Sequence, residues 1–448
     1  MAGKKLMRDT ALLTASSLFM RCIGLIFQMW LVSRIGAAGV GLYGLVSSVS
    51  FLAATVAISG IRFAATRLIS EELGLGRAGG IGRAMGLCLA YSLFFGVSSG
   101  LILLLCAEPI GFLWVGDART VLSLKILALS LPFISISSVM YGYFAASGRI
   151  FKAAAVITAE QIIRIFLVVL FLSFAPHEDL EKSCAAVSLG GTAAEITSFL
   201  VMSIVFILDR KKYRAAKIAS PRLPSRMLNI AVPLALSAYA RTSLSTLEQL
   251  LVPRGLKKAG FSANGALAGY GTIQGMVFPI ILFPSCVLTS IAELIVPELT
   301  AAQVCCKERQ ISEVVSKLLK KSLAFSLFIA AMLFILSETL GKAIYKSDEA
   351  GTYIRLFSLL VPVMYMDMVT DGCLKGLGQQ VWSMGFNIMD ALMGVVLVYL
   401  LLPSFALNGY IFIIFLEEIF NFSLSILRLA RVAKLWKFKE KTPEECRE

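Results

Sequence analysis

The sequence predicts an all-α polytopic membrane protein, with about twelve transmembrane helices in two parallel-repeat six-helix bundles. Three observations carry that prediction. Hydrophobic residues make up 58% of the chain, charged residues 16%, and the mean hydropathy is +0.82. A soluble domain holds roughly 45–50% apolar and about 25% charged residues. Apolar runs recur along the chain, most of them near the roughly 20 residues that a helix needs to cross a bilayer. The second half of the chain also resembles the first in sequence, in register over a long stretch.

The elements follow in order. The chain opens with Lys4 and Lys5, but Arg8 and Arg21 interrupt the apolar run and no small-residue cleavage site follows. The first segment, roughly 10–33, is therefore a retained span rather than a signal peptide. Spans at roughly 40–66 and 82–107 flank a polar turn in which Gly74, Gly76 and Gly79 mimic a dinucleotide fingerprint. That turn follows a membrane helix rather than a strand, so it reads as a cytoplasmic connection. Spans at roughly 121–146, 151–175 and 184–208 complete the first bundle, residues 1–208. The hydrophilic stretch 209–227 contains Pro221, Pro224 and a run of Lys and Arg, and it reads as a basic cytoplasmic linker. The second bundle, 228–431, holds spans at roughly 228–252, 267–297, 318–338, 353–374, 381–402 and 407–431. A basic cytoplasmic tail, 432–448, closes the sequence.

Orientation follows from the positive charges. With this topology 28 of the 42 Lys and Arg fall on the side of the N-terminus, 8 on the other side and the rest inside spans. That bias places both termini in the cytoplasm of a multi-pass protein of the cytoplasmic membrane. It also accounts for the net charge of +14 without a nucleic-acid partner, because the basic residues lie between apolar runs rather than on a folded basic domain. The single histidine, His177, lies in a polar loop, which excludes a histidine proton relay. The nine cysteines show no zinc spacing. No Walker A sequence, Ser-His-Asp set or Cys-His set occurs, and no external loop is long enough for a catalytic domain. The expectation is a protein that is not an enzyme and carries no metal or other cofactor.

The repeat is the most informative feature. At an offset of 230, Lys125 meets Arg355, Pro132 meets Pro362, Gly142 meets Gly372, Gly148 meets Gly378 and Glu160 meets Asp390, without a gap. Near the start of each half, at an offset of 220, Arg21 meets Arg241 and Leu31 to Arg34 meets Leu251 to Arg254. After a short insertion Tyr43 and Gly44 meet Tyr270 and Gly271. Six spans per half make the repeats parallel, and two such bundles with a cavity between them suit alternating access.

Charges inside spans mark candidate sites, because a charge at mid-bilayer costs roughly 2.5–3.5 kcal/mol on insertion scales and needs a partner or a wet cavity. Arg21 and Arg241 occupy equivalent places, and two arginines facing one cavity form an anion site suited to phosphate. Glu160 and Arg164 lie four apart, in the favourable order for a same-face pair, and line a polar wall of the substrate site. Asp390 is the mate of Glu160 but has Gly394 where the first half has Arg164, which makes Asp390 a candidate for proton or sodium coupling. Glu248, on the Arg241 face, is a second candidate. At the cytoplasmic ends of helices two and eight, Arg62 and Arg67 correspond to Glu293 and Glu298, a charge inversion that reads as a cytoplasmic gate.

The stretches Pro233 to Ser237, Leu251 to Arg254, Lys258 to Gly260, Tyr270-Gly271 and Phe283 to Ser285, together with Glu160, Gln161 and Arg164, resemble a known family. It is that of the stage V sporulation protein B-like polysaccharide exporters of the multidrug/oligosaccharidyl-lipid/polysaccharide (MOP) superfamily. The resemblance implies a V-shaped, MATE-like pair of six-helix bundles. It implies a flippase for a lipid-linked anionic glycan, a polyprenyl-diphosphate oligosaccharide or peptidoglycan precursor, with membrane lipids as its surroundings. The competing readings are a cation-coupled multidrug exporter of the same fold and, from another class, a non-transporting membrane scaffold that recruits cell-wall synthesis enzymes.

Overall fold

The computed structural model describes residues 2–74, 78–175, 179–210, 223–304 and 308–433. The side chains of 2–18, 74, 78–79, 150, 210, 293–294, 297–298, 301 and 304 fall outside the description. Most of the expected linker (211–222), the tail from 434 onward, Gly76 and His177 also lie outside the described residues.

All regular structure among the described residues is helical. Twelve rods follow the chain. A left-handed Gly36 (φ 70°) separates α1 (2–35) from α2, which runs 37–58 and, after a break, Ile61–Gly74. Next come α3 (Ala78–Pro109), α4 (Val121–Ala128 and Leu131–Ala146), α5 (Ile150–Phe174) and α6 (Leu180–Arg210). The second half supplies α7 (Leu223–Lys258), α8 (Ala263–Leu282 and Ser285–Val304), α9 (Glu308–Tyr345) and α10 (Asp348–Ser358 and Val361–Gly376). Ala406 (φ 50°) then divides α11 (380–405) from α12 (407–432). Each rod falls on one of the twelve segments that the sequence predicts. Among the described residues seven helices qualify as membrane spans by length and hydropathy alone, or nine when each bent pair counts as one; α7, rich in Ser, Thr and charge, does not qualify.

Helix α9 shows how sequence becomes packing here. Its buried positions Val315, Leu318, Ser322, Ser326, Ile329, Leu333 and Ser337 recur every three or four residues. The serines face inward while Phe328 and Ile335 are exposed. This inversion of the soluble pattern follows from an apolar solvent, in which small polar side chains mediate close helix packing and large apolar ones contact lipid.

The 230-residue repeat is visible in the backbone. Helices α4 and α10 break at the same place, after Ala128 and Ser358, with Pro132 and Pro362 opening the next turn, and bend by 45° and 57°. Gly148 and Gly378 share a left-handed φ of 66° and 68°, and Gly116 and Lys346 share φ of 73° and 52°. The Lys125–Glu108 ion pair at 2.7 Å recurs as Arg355–Glu338 at 3.7 Å, each member displaced by 230.

The compact units do not coincide with the halves. The first contains Met1–Ser16 and Leu42–Leu250, and the second Ser17–Gly41 and Leu251–Glu448. Helix α7 up to Leu250 thus joins the first unit, and most of α1 joins the second, so boundaries drawn at 208 and 228 describe the duplication rather than the packing. The contacts explain why. Within the first unit, Tyr239 of α7 donates a hydrogen bond to Ser59 Oγ at 2.6 Å and Thr246 donates to Ser48 O at 3.2 Å. Within the second, Gln28 of α1 donates to Gly275 O at 3.1 Å.

Candidate functional site

The breaks come first, because interrupted membrane helices free backbone groups and place charge at mid-depth. In α2 the break falls at Ser59 (φ 45°) and Gly60 (φ 69°). The bared carbonyls are satisfied by side chains. Tyr91 donates to Ser59 O at 3.2 Å, and Ser135 donates to Ala57 O at 2.7 Å. Gly60 is required, since a Cβ there would stand 2.5 Å from Ala231 O. Immediately after the break, Arg62 donates to Ser138 Oγ at 3.3 Å and lies 4.9 Å from the Tyr141 ring centroid.

The expected gate is only partly open to view. Arg67 pairs with Glu71 at 3.2 Å, and Glu71 also binds Arg226, so both described arginines of the set engage partners in their own unit. The side chains of Glu293 and Glu298 lie outside the described residues. The repeat-related glycines of α4 and α10 pack against these same segments. A Cβ on Gly142 would meet Arg62 O at 2.8 Å, and one on its mate Gly372 would meet Ala292 Cβ at 2.7 Å. The symmetric crossing of Gly41 with Gly271 makes Gly41, not Gly44, the mate of Gly271.

Arg21 and Arg241 are exposed on α1 and α7, and neither makes an ion pair among the described residues. Arg21 belongs to the second unit, in electrostatic reach of Cys286, and Arg241 to the first. A guanidinium in a span without a carboxylate retains its whole donor set for a ligand.

Glu160 and Arg164 do pair. Arg164 Nη2 donates to Glu160 Oε1 at 2.6 Å and to Glu195 Oε1 of α6 at 2.5 Å. Glu195 was not among the predicted residues; its signal was an intramembrane acid on the helix neighbouring Glu160. In the second unit Asp390 stands half-buried with Oδ1 lacking a hydrogen-bond partner. It lies in electrostatic reach of Asp367 of α10, and Glu418 of α12 interacts with both. Asn421 donates to Asp367 Oδ2 at 3.2 Å, and Asp367 Oδ1 has no hydrogen-bond partner. Among the described residues no three acids, histidines or cysteines converge closely enough to hold a metal ion. Glu248 is half-buried and belongs to the first unit, so the two ion-coupling candidates fall in different units.

A family model described as polysaccharide biosynthesis protein matches residues 6–292, well over half of the chain. The chain belongs to that family. A second model, MatE, matches residues 260–400. Among relatives, Stage V sporulation protein B of Bacillus subtilis (strain 168) is 23% identical over 420 residues, covering 91% of this chain and 80% of its own. Sporulation protein YkvU of the same organism is 20% identical over 404 residues, covering 89% and 88%. Among solved structures, an inward-facing multidrug resistance MATE family transporter of the MOP superfamily superimposes with a TM-score of 0.68 at 15% identity, covering 94% of this chain and 96% of that one. A MOP superfamily transporter from Pyrococcus furiosus, whose binding pocket is described as reversed in polarity, gives 0.60 at 15% identity, covering 95% and 97%. The protein is a multi-pass membrane protein with the fold of the MATE transporters of the MOP superfamily.

Proposed function

We propose that this protein moves a polyprenyl-diphosphate-linked oligosaccharide or peptidoglycan precursor outward across the cytoplasmic membrane, with both termini in the cytoplasm. The observation that carries the reading is the pair Arg21 and Arg241, one in each unit, exposed within helices and without an ion-pair partner among the described residues. A diphosphate presents oxygens in the planar, bidentate spacing that guanidinium groups match. The polysaccharide family membership supports a glycan cargo. Asp390 serves as the ion-coupling carboxylate, taking a proton or sodium, because its charge lacks the built-in neighbour that Glu160 has in Arg164.

A second reading, cation-coupled drug export, is favoured by the Asp367, Asp390 and Glu418 group and by the MatE match. Reconstitution into liposomes decides between them. The expected result is movement of a fluorescent polyprenyl-diphosphate sugar and none of a cationic dye, with Arg21→Ala plus Arg241→Ala abolishing it. Unchanged movement in that double variant removes the proposed role of the arginines. Dye export without lipid-sugar movement transfers the assignment to the second reading. Movement of neither cargo, with cell-wall enzymes captured through residues beyond Arg431, favours the scaffold.

A further inference from the structure

The two units hold versions of one ionic site, and they differ in what fills it. Three residues of the first unit, Glu160, Arg164 and Glu195, have Asp390, Gly394 and Ser425 as mates 230 residues on. The register holds in the backbone ahead of Glu160 and Asp390, through the paired breaks of α4 and α10 and the paired left-handed glycines 148 and 378; Ser425 is matched to Glu195 by the sequence offset alone. In the first unit the guanidinium of Arg164 bridges the two carboxylates at 2.6 and 2.5 Å. Tyr43 lies in electrostatic reach of the same guanidinium. In the second unit no guanidinium stands in that place, because Gly394 has no side chain. Asn421, on the helix of Ser425, donates to Asp367 Oδ2 at 3.2 Å, and Asp390 Oδ1 is left without a hydrogen-bond partner. Lys375, the cation that acts on Asp367, is itself held by Asp371 at 2.5 Å.

We propose that Arg164 is the tethered occupant of a duplicated cation position, its guanidinium permanently filling between Glu160 and Glu195 a place that Gly394 leaves open beside Asp390. The first unit thereby carries a fixed positive charge and is blind to free ions. Deleting the Arg164 side chain converts the Glu160–Glu195 pair into a site for one free monovalent cation. Charge is conserved in the exchange, since one guanidinium leaves and one cation enters. The idea extends the ion-coupling reading of Asp390 to the first unit but is tested without it.

The test uses the full-length protein, purified in detergent, with Asp390→Asn as the parent so that the second unit is silent. Thermal unfolding is compared in sodium chloride, methylguanidinium chloride and choline chloride at equal ionic strength. Adding Arg164→Gly should make the midpoint rise by about 3 °C in about 100 mM sodium or methylguanidinium relative to choline. The parent should show no such difference, Arg164→Lys should behave as the parent, and adding Glu160→Gln with Glu195→Gln should erase the response. Equal midpoints in all three salts for Arg164→Gly overturn the proposal, as does an equal rise in the parent. If Arg164→Gly does not fold, Arg164→Gln with Glu160→Gln keeps one carboxylate, Glu195, and carries the same expectation and the same overturning result. A failure here leaves the transport consequences of Asp390→Asn untouched, so the two readings fail separately.

Discussion

Gly41 and Gly271 cross backbone to backbone within the second unit. A Cβ on Gly41 would stand 2.1 Å from Leu267 O, and one on Gly271 would stand 2.0 Å from Ala37 O. The crossing is two-fold symmetric, since each glycine meets the residue four before the other. Close approach of small residues is the main source of helix adhesion in lipid, where apolar side chains gain nothing by leaving the solvent. Gly41→Ala and Gly271→Ala should each destabilise by about 3 kcal/mol or prevent folding, because the obstruction is helix backbone and cannot rotate away. Gly24→Ala, with open space at its Cβ, should be near neutral. Thermal unfolding in detergent with fluorescence detection measures the difference.

The break in α2 offers a second test. Ser59 sits in the left-handed region at φ 45° and is held by Tyr239 at 2.6 Å and Tyr91 at 2.9 Å, hydroxyl to hydroxyl. Tyr239→Phe should cost about 1 kcal/mol. Ser59→Gly relieves the backbone strain while deleting the hydroxyl, so its own effect should be small. Tyr239→Phe should then cost less in the Ser59→Gly background, with a coupling of about 0.5 kcal/mol or more in a double-mutant cycle. Strict additivity would show that the hydroxyl cluster does not hold the break.

Asp209 ends α6 with its carboxylate fully buried. It accepts hydrogen bonds from Tyr143 at 3.0 Å, Lys152 at 2.6 Å and Arg149. Removing it leaves two cations beside one another at the joint of α4, α5 and α6. Because Arg149 and Lys152 are partly exposed, Asp209→Ala should cost about 2 kcal/mol, less than a fully buried pair would. Tyr143→Phe should cost about 1 kcal/mol and leave the ion pairs intact. Unfolding midpoints that rank the other way would show that packing of the Tyr143 ring matters more than the charges.

Much of this fold is written in the sequence because bilayer crossing is a strong local constraint. Apolar runs together with the repeat locate the twelve rods, and the ungapped register from Lys125 to Glu160 anticipates the shared breaks and left-handed glycines. What the sequence hides is packing between segments far apart in the chain. Nothing local in α7 announces that Tyr239 belongs with Ser59, and nothing local in α1 announces that Gln28 belongs with Gly275, so the sequence does not show that α1 and α7 pack in units other than those of their halves. Exact register is also hidden, as Gly41 shows, because a slip by a few residues still pairs similar helix faces. The charged sites were half legible. Glu160, Arg164 and Asp390 stood out as intramembrane charges, whereas Glu195 and Asp367 gain meaning only when neighbouring helices bring them to a guanidinium or another acid.

The anion reading of Arg21 and Arg241 makes a prediction that separates shape from charge. If these side chains bind a diphosphate, the planar fork matters as well as the positive charge. Arg21→Lys and Arg241→Lys should therefore lower the rate of lipid-sugar movement about ten-fold each, which corresponds to about 1.4 kcal/mol of lost transition-state or ground-state binding. Arg21→Gln and Arg241→Gln, which remove the charge, should lose more. A general membrane-insertion role predicts the opposite ordering of readouts, with folding yield falling least for Gln, because a neutral side chain is cheaper in lipid than a cation. Measuring yield and transport for the same four variants separates the two. Lys variants that transport at the unaltered rate would mean that any cation suffices, and a phosphate-type ligand would lose its best support.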